Sequence, residues 1–306
     1  MVNTVGSASK QNYLAIFGLL FGAMCWGIIW YPYRLMNDAG VSGIASSFYT
    51  YLIAIILGAL LFAKHWRGAL SLPKSAIWLC MIAGWTNLSY VLAVIDGEVM
   101  RVMLLFYLSP LWTLVLAHFW LKESISKAGF ISIAIAMLGA YIMLADPFNR
   151  QSNFLPLPQN QSEWLALSAG IGFSFTNVIT RKSVHLSLAA KCMLVWVGVA
   201  VMSLLFIPFL GLLDLNAHFP SPSFFSLNNW LIMALIAILL MAATLFVQYG
   251  VTKITASRAS VLFLFELVVA AIAAYYLANE AMLLNEWIGG GLIIAAGLLA
   301  AFNHQD

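Results

Sequence analysis

Apolar residues run along this chain in blocks of about 20, separated by short clusters of Lys, Arg, Asn, Ser and Pro. Blocks of that length, wound as helix, match the hydrocarbon thickness of a bilayer, whereas membrane strands need alternating segments of about 10. The pattern predicts ten helical spans, at 12–36, 42–64, 75–95, 98–120, 125–145, 163–184, 188–211, 228–251, 256–278 and 283–303. The longest interruptions, 146–163 and 212–227, carry the Pro, Asn and Ser of loops. The first of them divides the spans five and five, giving a unit at 1–150 and a second at 151–306.

Composition strengthens this reading. Of 306 residues 63% are hydrophobic and only 8% charged, and mean hydropathy is +0.95, too few charges to cover a soluble globule. The formal net charge of +3 comes from fourteen Lys and Arg scattered singly, with no basic tract, so no nucleic-acid partner is expected. Cys25, Cys80 and Cys192 lack metal or redox spacing and read as small hydrophobes. The first apolar run is too long for a cleaved signal peptide and reads as an anchor.

Basic residues also orient the spans. Eleven Lys and Arg fall on the side of the termini and three, Arg34, Arg101 and Arg150, fall opposite. Positive flanks stay in the cytoplasm, so both termini are expected there, with the chain multi-pass in the inner membrane.

The second unit repeats the first. A constant spacing of 157 residues carries Arg101, Leu105, Phe106, Ala117 and Glu123 onto Arg258, Leu262, Phe263, Ala274 and Glu280. A unit of five spans, being odd, inserts its copy in the opposite sense. The expected fold is therefore an all-α integral membrane protein of ten transmembrane helices in two inverted five-helix repeats, an architecture common among secondary transporters.

Trp26-Gly27, the segment LSPLWTLVLAHFWLKE with the following Gly129 and Gly139, and in the second half FELVVAAIAAYYLANE with Trp287 and Gly289 to Gly291, resemble the EamA-type repeat of the drug/metabolite transporter superfamily. Within it, the ten-helix size, aromatic load and small loops most resemble bacterial YddG-type exporters of aromatic amino acids. The resemblance implies export of a small solute. The superfamily's small multidrug exporters carry a coupling glutamate in their first helix, whereas residues 12–36 contain no acid. Facilitated diffusion is therefore expected in place of proton antiport.

Candidate substrate-binding residues are the polar and aromatic groups inside spans. Pro110 has no amide hydrogen, frees the carbonyl of Phe106 and predicts a kink or hinge, with Ser109 and Trp112 on the adjoining surface. Asn87 with Tyr90, Phe173 with Asn177, and Thr244 with Gln248 pair on helix faces at spacings of three or four. Such amides point into the bundle, either to neighbouring helices or to a wet cavity. Trp66, Trp78, Trp164, Trp230 and Trp287 read as an interfacial belt, while Trp26, Trp30, Tyr90, Tyr107, Trp112 and Trp196 lie deeper, as core or as substrate platforms. Glu266 is the one acid well inside a span, and reads as a coupling site, an ammonium anchor or the partner of a buried hydroxyl. Arg101 and Arg258 read as interfacial anchors or gate elements, and Glu123 and Glu280 as partners in salt bridges or loop contacts.

Other functions lack their residues. Ser109 and His118 are too far apart in sequence for a nucleophile and base, no mid-helix lysine offers a Schiff base, and no ring of charge suggests a channel. No enzyme activity, cofactor or metal is expected. Several aromatics and amides with almost no fixed charge suit a zwitterionic amino acid with an apolar or aromatic side chain. The alternative is a lipophilic cation exported in exchange for protons through Glu266. The lipid bilayer is the one other partner implied, and a monomer is compatible with the sequence.

Overall fold

The computed structural model describes residues 2–63, 74–122, 127–145, 158–209, 226–254, 259, 262–263 and 265–302. Among them the regular structure is entirely helical. In the first half lie α1 (Val2–Asp38), α2 (Gly43–Leu61), α3 (Lys74–Asp96), α4 (Val99–Phe106), α5 (Ser109–Leu121) and α6 (Lys127–Ala145). In the second lie α7 (Gln161–Lys182), α8 (Leu188–Phe206), α9 (Leu227–Lys253), α10 (Phe265–Ala273), which runs on as a wider turn over Ala274–Ala278, and α11 (Leu284–Phe302). Among the described residues six stretches are long and apolar enough to cross a bilayer, among them Tyr13–Asp38, Ser75–Asp96 and Leu227–Lys253, and three shorter apolar helices accompany them. The chain is a multi-span helical membrane protein.

Local chemistry sets the helix ends. Ser42, Asn160 and Ser187 each accept a bond from the backbone N–H three residues on, at 3.2, 2.9 and 3.2 Å, filling an otherwise orphaned donor. The fourth span differs from a single kinked helix. Its backbone breaks at Tyr107–Leu108, and Pro110 falls in the first turn of α5. Proline cannot donate to the residue four back and is well placed where a helix begins, so the first segment stops and a second starts. The carbonyl of Phe106, freed as expected, lies against Gly170 of α7, where a side chain would collide with it.

The repeat is visible in the backbone. Among the described residues two non-glycine positions have positive φ, Lys122 at 58° and Asn279 at 53°, and they stand at the repeat spacing. Each ends the fourth span of its half, and each donates its N–H to a matching alanine, Lys122 to Ala117 and Asn279 to Ala274. Packing between the halves obeys the same exchange: α3 packs on α7 as α9 packs on α1, α4 and α5 pack on α7 as α10 packs on α1, and α2 meets α8 as α6 meets α11.

Helix directions follow from close glycine contacts. Gly18 and Gly22 of α1 face Phe246 and Val247, while Gly250 faces Leu19 and Ala15, so α1 and α9 run antiparallel. Gly198 of α8 rests on Cys80, and Gly84 rests on Gly198 and Met202, so α3 and α8 run parallel. At those points backbone touches backbone, the close approach that small residues permit between membrane helices.

Arginines mark equivalent ends of the two halves. Arg34, at the end of α1, donates from Nε to the carbonyl of Val94 at 2.7 Å and from Nη2 to that of Gly97, both at the end of α3. Arg181, at the end of α7, donates from Nη1 to the carbonyl of Ile254 at 2.6 Å, just beyond α9. Because Gly250 packs beside Ala15, about five helical turns before Arg34 on α1, the Arg181 contact lies at the opposite end of the bundle from Arg34. The two halves carry the same device on opposite faces, which is inversion seen in side chains.

Candidate functional site

Between the halves lies a cavity of about 50 Å³. Trp26, Ile29 and Tyr33 of α1 line it at spacings of three and four, hence from one helix face. Tyr51 of α2, the Thr86, Asn87, Tyr90 and Val91 face of α3, Phe106 of α4, Phe173 of α7, Leu240 of α9 and Glu266 of α10 complete the wall.

Trp26, Phe106 and Phe173 form its aromatic side, and Phe263 completes a quartet of rings by packing on Trp26 and Phe173. Trp26 meets Phe173 edge-on at 6.0 Å and Phe263 at 5.9 Å, and Phe173 meets Phe106 at 5.2 Å and Phe263 at 5.1 Å. Phe106 and Phe263 are repeat mates, and the shift that carries Arg34 onto Arg181 also carries Trp26 onto Phe173. The contacts Trp26–Phe263 and Phe173–Phe106 thus exchange when the halves exchange. The quartet sits where the pseudo-twofold axis passes.

The polar side breaks that symmetry. On α3, Asn87 receives the Tyr51 hydroxyl on Oδ1 at 2.8 Å and donates from Nδ2 to Ala83 at 2.9 Å, which fixes the amide and leaves its second hydrogen unassigned. Thr86 donates to Ile82 at 2.8 Å, so its hydroxyl offers the cavity an acceptor. Tyr33 is 1% exposed and its hydroxyl has no hydrogen-bond partner. Tyr90 reaches only long contacts, 3.4 Å to the Trp26 carbonyl and 3.5 Å to Met103 Sδ. The corresponding residues of α9 are Ala243, Thr244, Val247 and Gln248, and from that helix only Leu240 lines the cavity.

Glu266 is the one acid among the lining residues and is 2% exposed. The Tyr107 hydroxyl lies 2.6 Å from its Oε2 and 2.6 Å from the carbonyl of Phe263. A phenol has one hydrogen and the carbonyl can only accept, so one hydrogen cannot fill both contacts. A proton on Glu266 would complete a chain from carboxyl to phenol to carbonyl. The repeat mate of Glu266 is Ser109, whose carbonyl accepts from Ser174 Oγ at 2.8 Å, while the Glu266 carbonyl packs against Gly27, the counterpart of Ser174.

Of the residues singled out from sequence, Trp26, Asn87, Tyr90, Phe173 and Glu266 line the cavity. Tyr107 stands behind Glu266 as its hydrogen-bond partner. Trp30 lies outside the lining, its indole donating to Gly27 at 2.9 Å and its ring carrying the Arg34 guanidinium at 5.1 Å. Ser109, Trp112, Asn177 and Gln248 also lie outside it, and Trp112 Nε1, Asn177 Nδ2 and Gln248 Oε1 are buried without partners. Tyr33, Tyr51 and Thr86 line the cavity without having been singled out, although Tyr33 shares the helical face of Trp26.

A charged cluster closes the end of the bundle that carries Arg34. Arg34 Nη1 pairs with Glu280 Oε1 at 3.0 Å, joining the two halves, and Glu280 Oε2 accepts the N–H of Val99, the first residue of α4, at 2.8 Å. Arg101 pairs with Glu163 at 2.6 Å, tying the start of α4 to the start of α7. Glu280 therefore makes an ionic contact of the kind expected of it, whereas Arg101, read as an anchor or gate element, is also ion-paired at the start of α4. The matching readings for Glu123 and Arg258 fall outside the described residues.

Comparison with known proteins agrees with this architecture. Residues 13–145 and 161–302 each match the EamA-like transporter family. No curated protein matches the chain. Twenty-six chains of solved structures do, among them a crystal structure that is 14% identical, covers 97% of this chain and 97% of its own, and has a TM-score of 0.64, a likeness of fold. With nearly its whole length matched in two repeats, the chain belongs to the EamA-like transporter family of the drug/metabolite transporter superfamily and is a membrane transporter of small molecules.

Proposed function

We propose that the chain exports amino acids with aromatic or other apolar side chains, by alternating access of the cavity between its two halves. One observation carries this reading: Trp26, Phe106, Phe173 and the single carboxyl of Glu266 share a cavity with several uncharged hydrogen-bond donors. A zwitterion needs an acceptor for its ammonium, donors for its carboxylate and a surface for its side chain. Glu266 supplies the first. Tyr33, Tyr90 and the second Asn87 hydrogen supply the second, and Trp26, Phe106 and Phe173 the third, each ring contributing about 0.5–1.5 kcal/mol. A strongly anionic metabolite would call for Arg or Lys in the wall, and none lines it.

The movement follows from the inverted halves. Arg34–Glu280 and Arg101–Glu163 close one end, and exchanging the conformations of the two halves would open that end and close the other. With no acid in residues 12–36 of α1, transport is by facilitated diffusion.

The hydrogen count around Tyr107 favours a second reading, in which a proton on Glu266 exchanges for a substrate cation and the chain is a proton-coupled exporter of lipophilic cations. Uptake of labelled phenylalanine into proteoliposomes, competed by threonine and by a quaternary ammonium dye, separates the two. The first reading predicts competition by amino acids and indifference to an imposed pH gradient. Inhibition by the dye alone, with several-fold acceleration by the gradient that Glu266→Gln abolishes, would establish the second.

A further inference from the structure

A second, larger recess lies away from the central cavity. It is a groove of about 790 Å³ between the start of α3 and the ends of α5 and α7. Its inner part is apolar, formed by Ile82, Phe175 and Ile179, with Trp120 against Phe175 at 5.3 Å and nearly edge-on. Trp78 and Trp120 stand at its margin, 63% and 43% exposed, as aromatic residues do at a membrane interface. Its outer part is polar and basic, with exposed Lys182 and His185, and no carboxylate lines it. Ser75 and Ser183 also line it, and both hydroxyls are buried without a hydrogen-bond partner, Ser183 being 1% exposed.

Two orphaned hydroxyls beside a lysine and an imidazole call for an acceptor-rich anion, since buried polar groups are otherwise costly. An apolar trough leading from that anion toward the bilayer interior calls for a hydrocarbon tail. We propose that this groove binds an anionic phospholipid, its phosphate at Lys182, His185, Ser75 and Ser183 and an acyl chain along Trp120, Phe175 and Ile179. The basic residues that put this end of the bundle in the cytoplasm also put the groove in the leaflet where anionic lipids concentrate. The site touches the start of α3 and the ends of α5 and α7, so an occupying lipid bridges elements that belong to different halves.

Native mass spectrometry of the full chain in detergent tests this, with phosphatidylglycerol and phosphatidylcholine of identical acyl chains as probes. Phosphatidylglycerol should be retained about fivefold or more over phosphatidylcholine, as expected for one to two cationic contacts. The double variant Lys182→Gln, His185→Gln should abolish the preference, while Lys253→Gln, a lysine outside the groove, should leave it intact. Trp120→Ala should weaken retention of both lipids and keep their ratio. Equal retention of the two lipids, an equal effect of Lys253→Gln, or displacement of the adduct by millimolar inorganic phosphate would overturn the proposal, the last by showing a site for the free anion.

Discussion

The Tyr107 hydroxyl lies 2.6 Å from Glu266 Oε2, joining the two halves of the molecule at the wall of the cavity. The contact spans 159 residues of sequence and unites the break in the fourth span with the start of α10. Replacing Glu266 by Gln keeps shape and removes the charge a substrate ammonium would meet. Hydrogen bonds to charged groups contribute about 1.5–3 kcal/mol, so apparent affinity for phenylalanine should fall about tenfold to a hundredfold. Tyr107→Phe should lower it less, because the carboxyl stays in place. Equilibrium binding of labelled phenylalanine to purified protein checks both.

The aromatic wall gives a separate expectation. Trp26 makes two ring contacts in the quartet and is only partly buried, so Trp26→Ala removes substrate surface while leaving the bundle assembled. Half-saturation for phenylalanine should rise about threefold to tenfold, and that for a small aliphatic amino acid should change less. Proteoliposome uptake over a range of substrate concentrations measures the difference.

Glycine contacts between α3 and α8 set the stability of the frame. A Cβ at Gly198 would overlap the carbonyl of Cys80, and one at Gly84 would overlap that of Gly198. Backbone cannot swing aside as a side chain can, so Gly198→Ala must part the helices. Overpacking of this kind costs about 1–3 kcal/mol, and the variant should melt at a lower temperature in detergent. Gly291, with open space around its Cα, provides the control, and Gly291→Ala should melt like the parent.

Closure at the Arg34 end rests on a partly exposed ion pair. Glu280→Gln breaks the pair with Arg34 while the amide oxygen can still accept from Val99. Exposed pairs contribute about 0.2–1 kcal/mol, so the equilibrium should shift toward opening at this end by no more than about fivefold. The rate of thiol modification at a cysteine introduced at Thr86, measured with reagent on the Arg34 side, reads that shift.

Much of this architecture was legible in the sequence. Among the described residues the apolar blocks fall in helices because hydrocarbon permits few other backbones, and the 157-residue spacing reappears as Lys122 and Asn279 sharing one unusual backbone conformation. Asn87 and Tyr90 were legible because polar groups at helical spacing stand out against an apolar background. Tyr33 and Tyr51 were not, since a tyrosine in a membrane span reads equally as packing. The fourth span was read as one kinked helix because proline's missing hydrogen bond predicts a kink as readily as a restart, and local sequence does not decide between them. The Arg34–Glu280 pair joins residues 246 apart and required the halves to be assembled.

The central claim is that one cavity between the halves meets substrate from each side of the membrane in turn. Its most direct measurement is cysteine accessibility at Thr86, a cavity residue, in a variant with Cys25, Cys80 and Cys192 replaced and with the protein oriented in vesicles. A membrane-impermeant thiol reagent should label that cysteine from either face, and phenylalanine should protect it from both. Labelling from one face only, or labelling that phenylalanine leaves unchanged, would contradict the account.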